Sequence, residues 1–164
     1  MEILTGTRYM IPNLPGIYSL VIWLSKETTL RVGALGIQTL PSGYYVYTGS
    51  ALGPGGLKSR VEYHVKKNKS RSDSVWHIDI LLASERTTLI EAITLHTMKQ
   101  FECDMNQYIK ERMGMEIPII GFGASDCKKK CKSHLLFFPD IIKESTLVQK
   151  VKDAYSQFVE DSYL

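Results

Sequence analysis

The chain of 164 residues has no apolar run long enough to cross a bilayer, which argues against a helical membrane protein. Its start, Met1-Glu2-Ile3-Leu4, lacks the basic-then-apolar arrangement of an export signal, so a cytoplasmic protein is expected. Cysteine is scarce. Cys103, Cys127 and Cys131 are an odd and widely spaced set, which excludes the dense, even framework of a small disulfide-stapled domain and leaves reduced thiols or a metal site. No internal repeat and no low-complexity tract is visible, so neither a solenoid nor a disordered tail is indicated. Strong charge of one sign is missing as well. A formal charge of +3 assists contact with a polyanion but is far from that of a binder driven by a basic tail.

What is present describes one compact domain. A hydrophobic share of 44% and a charged share of 23% are ordinary for a globular chain, and this length buries enough apolar surface to fold without covalent staples. Two basic clusters, 66–71 and 128–132, interrupt the otherwise mixed charge pattern. Runs of this kind are commonly solvated faces, and they also suit a phosphate backbone.

Local patterns divide the chain. Ile17 to Leu24 is an unbroken β-branched, aromatic and aliphatic run that reads as a buried strand, followed by a short strand at Leu30 to Gly33 and a stronger one at Tyr44 to Thr48. These three are expected to form an antiparallel meander. Alternation puts Tyr45 and Tyr47 on one sheet face and Tyr44 and Val46 on the other. The glycine-rich stretch from Gly49 to Gly56 leads into a helix over 57–67, where Leu57, Val61 and Val65 make a buried stripe and Arg60 and His64 lie one turn apart on a neighbouring face. A short helix over 75–83, a strand over 89–95, a helix over 99–113 stopped by Gly114, and a strand over 134–138 ended by Pro139 follow. From Ser145 onward, Leu147, Val148, Val151, Ala154, Tyr155, Phe158 and Val159 recur at helical intervals, predicting an amphipathic helix docked on the body or on a second subunit.

Several residue sets can carry chemistry. Ser50 and the glycines up to Gly55 and Gly56 can offer backbone N–H groups to a phosphate, as glycine-rich turns into helix starts do. Lys58, Lys66 and Lys67 would add positive charge along that path. His77, beside Trp76, either anchors its helix by a hydrogen bond or touches a substrate. Cys127, Cys131 and His134, joined by Cys103, have the residue types for a tetrahedral zinc site, although three buried thiols and a packed histidine need no metal.

The order Pro15-Gly16-Ile17-Tyr18, then Tyr47-Thr48-Gly49, then Arg60 and His64, resembles the signature of the GIY-YIG nuclease superfamily. Within it, Trp76-His77-Ile78-Asp79, Glu102-Cys103 and the string Gly121 to Cys127 with Ser133-His134-Leu135 look closest to the branch called domain of unknown function 123. The resemblance covers about Pro15 to Phe138. It implies an α+β fold, with a small three-stranded antiparallel sheet, open to extension and flanked by helices, as a nuclease-like domain over 1–138; the tail lies outside the resemblance, and its amphipathic pattern predicts a helix over 139–164 packed on the same domain. It also implies a DNA partner and hydrolysis of phosphodiesters with Mg²⁺ or Mn²⁺.

On that resemblance Tyr18, Tyr47, Arg60, His64 and Glu102 are the catalytic set. The arginine fork would hold two phosphate oxygens, Glu102 would hold the metal, and Tyr18, or after it His64, would serve as base for the attacking water. Tyr47 would position phosphate or water. Glu85 and Glu91 are rivals of Glu102 for the metal, and Glu102 is preferred for its place at a helix start after a strand. The two tripeptides stand farther apart than the superfamily's usually do, so an extra strand and turn are expected between them. The alternatives to an endonuclease are a binding module that has lost turnover and a zinc-stabilised interaction domain.

Overall fold

A computed structural model of the protein describes residues 11–66 and 76–162, together with the backbone of residues 3–6. Lys67 and the loop over 68–74 lie outside the described residues, as does the start of the helix expected from residue 75. Among the described residues, no helix is long and apolar enough to cross a membrane.

The centre is an antiparallel sheet made from β1 (Ile3–Gly6), β2 (Gly16–Leu24), β5 (Gly43–Ala51), β6 (Thr87–His96) and β7 (Leu135–Phe138), in the order β1-β6-β2-β5-β7. The sheet therefore has five strands rather than three, the extra ones being added at both edges. Between β2 and β5 the chain makes a separate hairpin of β3 (Thr28–Arg31) and β4 (Ile37–Leu40). This corrects the expected meander. The strand over 30–33 instead ends at Arg31, because Gly33 takes a left-handed φ of 47° and opens a short 3₁₀ turn over Gly33–Leu35. With the hairpin turned aside, β2 pairs directly with β5, Tyr18 opposite Gly49 and Leu20 opposite Tyr47.

Alternation along the strands makes two cores. Tyr18, Leu20, Ile22, Tyr45 and Tyr47 face α1 (Gly56–Val65) and α2 (His77–Leu82), which contribute Leu57, Val61, Ile78 and Leu81. Ile17, Val21, Val46, Ile93 and Leu95 face α3 (Glu102–Met113) and α4 (Glu144–Ser162), where Met105, Ile109, Leu147, Val151, Tyr155 and Phe158 close the second core. The split of Tyr45 and Tyr47 from Tyr44 and Val46 follows the strand alternation. Gly114 ends α3 in the left-handed conformation at φ 61°, as the sequence predicts. Thr48 faces the α4 side, where its hydroxyl meets Ser19 at 2.8 Å and Tyr155 donates to Ser19 at 2.9 Å.

Candidate functional site

At the end of the sheet, on the face shared with α1, a cavity of about 290 Å³ opens to solvent. Tyr18 comes to it from β2 and Tyr47 from β5, their ring centroids 6.5 Å apart. Arg60, one turn into α1, enters the cavity with its guanidinium 4.4 Å from the centroid of the Trp76 ring, an arrangement that holds the fork flat and limits its rotamers. Glu102, in the first turn of α3, also lines the cavity. Ser50, Gln100, Asp126, Lys128 and Lys129 complete the polar lining. Four of the five residues in the predicted catalytic set thus surround one concavity.

The fifth, His64, lies behind it. At 3% exposure it is buried, with Nε2 2.7 Å from the Tyr18 hydroxyl and Nδ1 2.8 Å from Oδ1 of Asp79, itself 1% exposed. A carboxylate accepts, so Nδ1–H donates to Asp79, and the neutral imidazole then presents Nε2 as an acceptor for the Tyr18 O–H. Tyr18 keeps its oxygen lone pairs for the cavity. The Tyr18, His64 and Asp79 side chains form one buried line from β2 through α1 to α2.

Electrostatics match this picture. Burial pushes the Tyr18 phenol well above its ordinary value, Tyr47 and Asp79 push the same way, and the Arg60 charge opposes them. Tyr47 is raised by burial first and then by Asp79, against Arg60. Both therefore rest as neutral phenols. In the same cavity, Oε2 of Glu102 is buried and has no hydrogen-bond partner among the described residues. An orphaned carboxylate oxygen in a polar cavity is a place for a cation.

The cysteines gather beside Glu102. The ligand atoms of Cys103, Cys127, Cys131 and His134 all lie within 4.8 Å of one another, and this cluster can hold one metal ion. Cys103 Sγ is 3.1 Å from Cys127 Sγ and 3.4 Å from His134 Nε2, and all three thiols are free. Burial, followed by the two neighbouring thiols, raises the Cys103 thiol, while burial lowers His134 against the opposing pull of Glu102 and Asp126. Three sulfurs and an imidazole suit zinc better than Mg²⁺ or Mn²⁺.

A family model described as Domain of unknown function DUF123 matches residues 17–159. The chain belongs to the DUF123 family. Searches of curated proteins and of solved structures gave no match.

Within this DUF123 domain the other sequence-predicted residues are dispersed. Ser50 lines the cavity, but Gly55, Lys58 and Lys66 line a separate hollow on the outer side of α1 with Asn13, Ser59, Glu62 and Tyr63. The N–H groups at the start of α1 are already used: Leu57 donates to the Leu14 carbonyl and Lys58 to that of Pro12, while Gly56 donates to Gly53. Gly56 itself is buried, and a Cβ there would come within 2.5 Å of the Leu14 carbonyl oxygen, so its role is close packing. His77 accepts a hydrogen bond from the Gly123 N–H at 3.0 Å and faces Phe122, which anchors the 119–134 loop rather than a ligand. Of the rivals to Glu102, Glu91 points toward Lys152 on α4 and Glu85 is exposed in the turn before β6, and neither lines the cavity. Sequence reasoning assigns no role to Asp79, Asp126 or Gln100. No local signal marks Asp79, whose partner His64 lies fifteen residues upstream.

Proposed function

We propose that this DUF123 protein is a GIY-YIG-type nuclease that hydrolyses DNA phosphodiester bonds with a divalent cation. The observation that carries the reading is the convergence of Tyr18, Tyr47, Arg60 and Glu102 on one open cavity, with Tyr18 backed by the buried His64 and Asp79. Phosphoryl transfer asks the protein for charge stabilisation, a held geometry and a base, and those side chains supply each.

Arg60, braced by Trp76, would present two N–H groups to the phosphate and stabilise charge as the phosphorus becomes five-coordinate. Lys128 and Lys129 lie at the same mouth and would draw in the backbone. A neutral phenol is a poor base, and the high pKa of Tyr18 keeps it protonated at rest. The relay removes this difficulty. As Tyr18 takes a proton from the attacking water, it passes its own to Nε2 of His64, and Asp79 stabilises the imidazolium that results. Tyr47, beside Tyr18, orients the phosphate or the water through its hydroxyl.

Glu102 fits a divalent cation because its buried Oε2 has no partner among the described residues, and Asp126 lines the same cavity. Such an ion, when bound, supplies Lewis-acid stabilisation of the leaving oxygen.

The test incubates the full chain with supercoiled, nicked, flapped and branched DNA in Mg²⁺ or Mn²⁺, beside Tyr18→Phe, Arg60→Ala and Glu102→Ala. Metal-dependent cleavage abolished by each substitution is the expected result. Salt-sensitive DNA binding with no cleavage under any metal would instead identify a module that has lost turnover.

A further inference from the structure

We infer that Cys103, Cys127, Cys131 and His134 bind a structural zinc ion that builds one wall of the candidate active-site cavity. The inference is independent of nuclease activity.

The donor atoms already approximate a coordination shell. A tetrahedron with zinc–sulfur bonds of about 2.3 Å and a zinc–nitrogen bond of about 2.0 Å has edges of roughly 3.8 Å between sulfurs and roughly 3.6 Å between sulfur and nitrogen. The Cys103–Cys127 and Cys103–His134 separations, 3.1 and 3.4 Å, are shorter by about 0.7 and about 0.2 Å than these edges, and all four donors fit within 4.8 Å. A sulfur pair at 3.1 Å is also far beyond the roughly 2.05 Å of a disulfide. Small outward movements would seat an ion.

Chain geometry converges on the same place from three directions. Cys103 stands in the first turn of α3, with its Sγ close to Cys127 Sγ and His134 Nε2. Cys127 and Cys131 are brought together by a tight turn in which Lys130 donates its N–H to the Cys127 carbonyl and takes φ 53°, the sole positive value among described non-glycine residues. His134 immediately precedes β7 and is buried. The loop over 123–132 contributes no residue to either apolar core, so cross-linking by a metal would replace the packing it lacks.

Lysines flank the ligands along the chain, one of them, Lys129, paired with Asp104. Three thiolates and Zn²⁺ leave a net charge of −1, and Lys128, Lys129, Lys130 and Lys132 surround the ligands in sequence. This accounts for the second basic cluster without requiring that all of it touch a polyanion. Because four protein ligands close the shell, the zinc has no open position for water and acts as a brace. Cys103, Cys127 and His134 all line the cavity, and Glu102 is bonded directly to Cys103, so the brace fixes the wall that carries the orphaned carboxylate.

The full chain, purified reduced and without chelator, should contain about one zinc per molecule by elemental analysis. Replacement with Co²⁺ should give intense visible d–d bands and sulfur-to-cobalt charge transfer. Cys131→Ser should weaken zinc binding by at least about 100-fold. Cys131→His should retain the ion with shifted cobalt bands, which separates ligand loss from misfolding. A folded protein that gives no thiolate–cobalt spectrum overturns the inference. So does a Cys103–Cys127 disulfide in the reduced, metal-supplemented protein, iron in place of zinc, or parental affinity in Cys131→Ser. Loss of DNA cleavage bears on the nuclease reading alone, since metal content and cobalt spectra are read without DNA.

Discussion

Tyr18 on β2 lies directly across the strand pair from Gly49 on β5, and a Cβ on Gly49 would stand 2.5 Å from the Tyr18 hydroxyl and 2.7 Å from Cζ. The glycine thus provides the space into which the phenol extends on its way to His64. Gly49→Ala should push the ring off His64, lowering stability by about 1–3 kcal/mol as an overpacked core does. If the relay is the base, cleavage should fall at least tenfold more than in a surface Gly53→Ala control, whose Cβ would meet nothing within 4 Å. Equal effects from the two substitutions would remove the steric argument.

Removing the phenol oxygen tests the relay itself. Tyr18→Phe should reduce kcat by about 10²–10⁴-fold, the range of a lost general base, while stability falls by only about 1 kcal/mol for the hydrogen bond to His64. Asp79→Asn should lower kcat with KM nearly unchanged, because the substituted side chain presents a neutral amide where the imidazole needs an anion, and the His64 Nδ1–H loses its charge-assisted partner. A pH–rate profile separates positioning from simple structural damage: the acidic limb should move in Asp79→Asn and stay in place for a core substitution such as Ile78→Val. An unchanged profile would argue against the relay.

Arg60 distinguishes geometry from charge. Arg60→Lys preserves the positive charge but loses the planar fork and its stacking on Trp76. Cleavage should drop more than tenfold while the salt dependence of DNA binding hardly shifts, since one phosphate contact is retained. If Arg60→Lys is as active as the parent, the guanidinium is not clasping phosphate.

Much of this site is legible in the sequence because strands and helices impose fixed periods. Alternation places Tyr47 on the face of Tyr45, and the stripe of Leu57 and Val61 fixes which side of α1 is buried. The direction of His64 is not legible. Helical spacing puts it beside Arg60, yet burial turns its ring toward Tyr18 and Asp79 while Arg60 leans on Trp76 toward the cavity. Asp79 cannot be found from local pattern, because its partner is fifteen residues upstream and the pairing exists only once α2 packs on α1. The hairpin of β3 and β4 escapes the sequence for a similar reason. Strand propensity tells which segments extend, but sheet membership depends on which edge is free, and β5 takes the β2 edge along its whole length. The donors at the start of α1 are expected from the sequence to face a ligand, and the lead-in carbonyls of Pro12 and Leu14 occupy them instead.

The buried phenols give a pH prediction whose sign is fixed. Tyr18, Tyr45, Tyr47 and Tyr155 each have ionisation pushed above the usual phenol value of 10.0, burial being the largest cause. For an acid raised in the fold, the neutral form is favoured there, so its contribution to stability is complete below pH 10 and is lost as pH rises toward the folded-state value. Above pH 10 the unfolded chain binds fewer protons than the native one, and unfolding free energy should decline by about 1.4 kcal/mol per pH unit for each such group. Denaturant melts between pH 8 and pH 11.5 would show a flat region followed by this steepening descent. Absorbance at 295 nm should rise in two stages, the more exposed tyrosines first and the buried four only with the cooperative transition. Tyr155→Phe should lessen the alkaline slope by one group, and at neutral pH it should cost about 1 kcal/mol through the lost bond to Ser19. If all nine tyrosines ionise together near pH 10 while the fold persists, the four buried phenols are not sealed from water, and the neutral resting state assigned to Tyr18 fails with them.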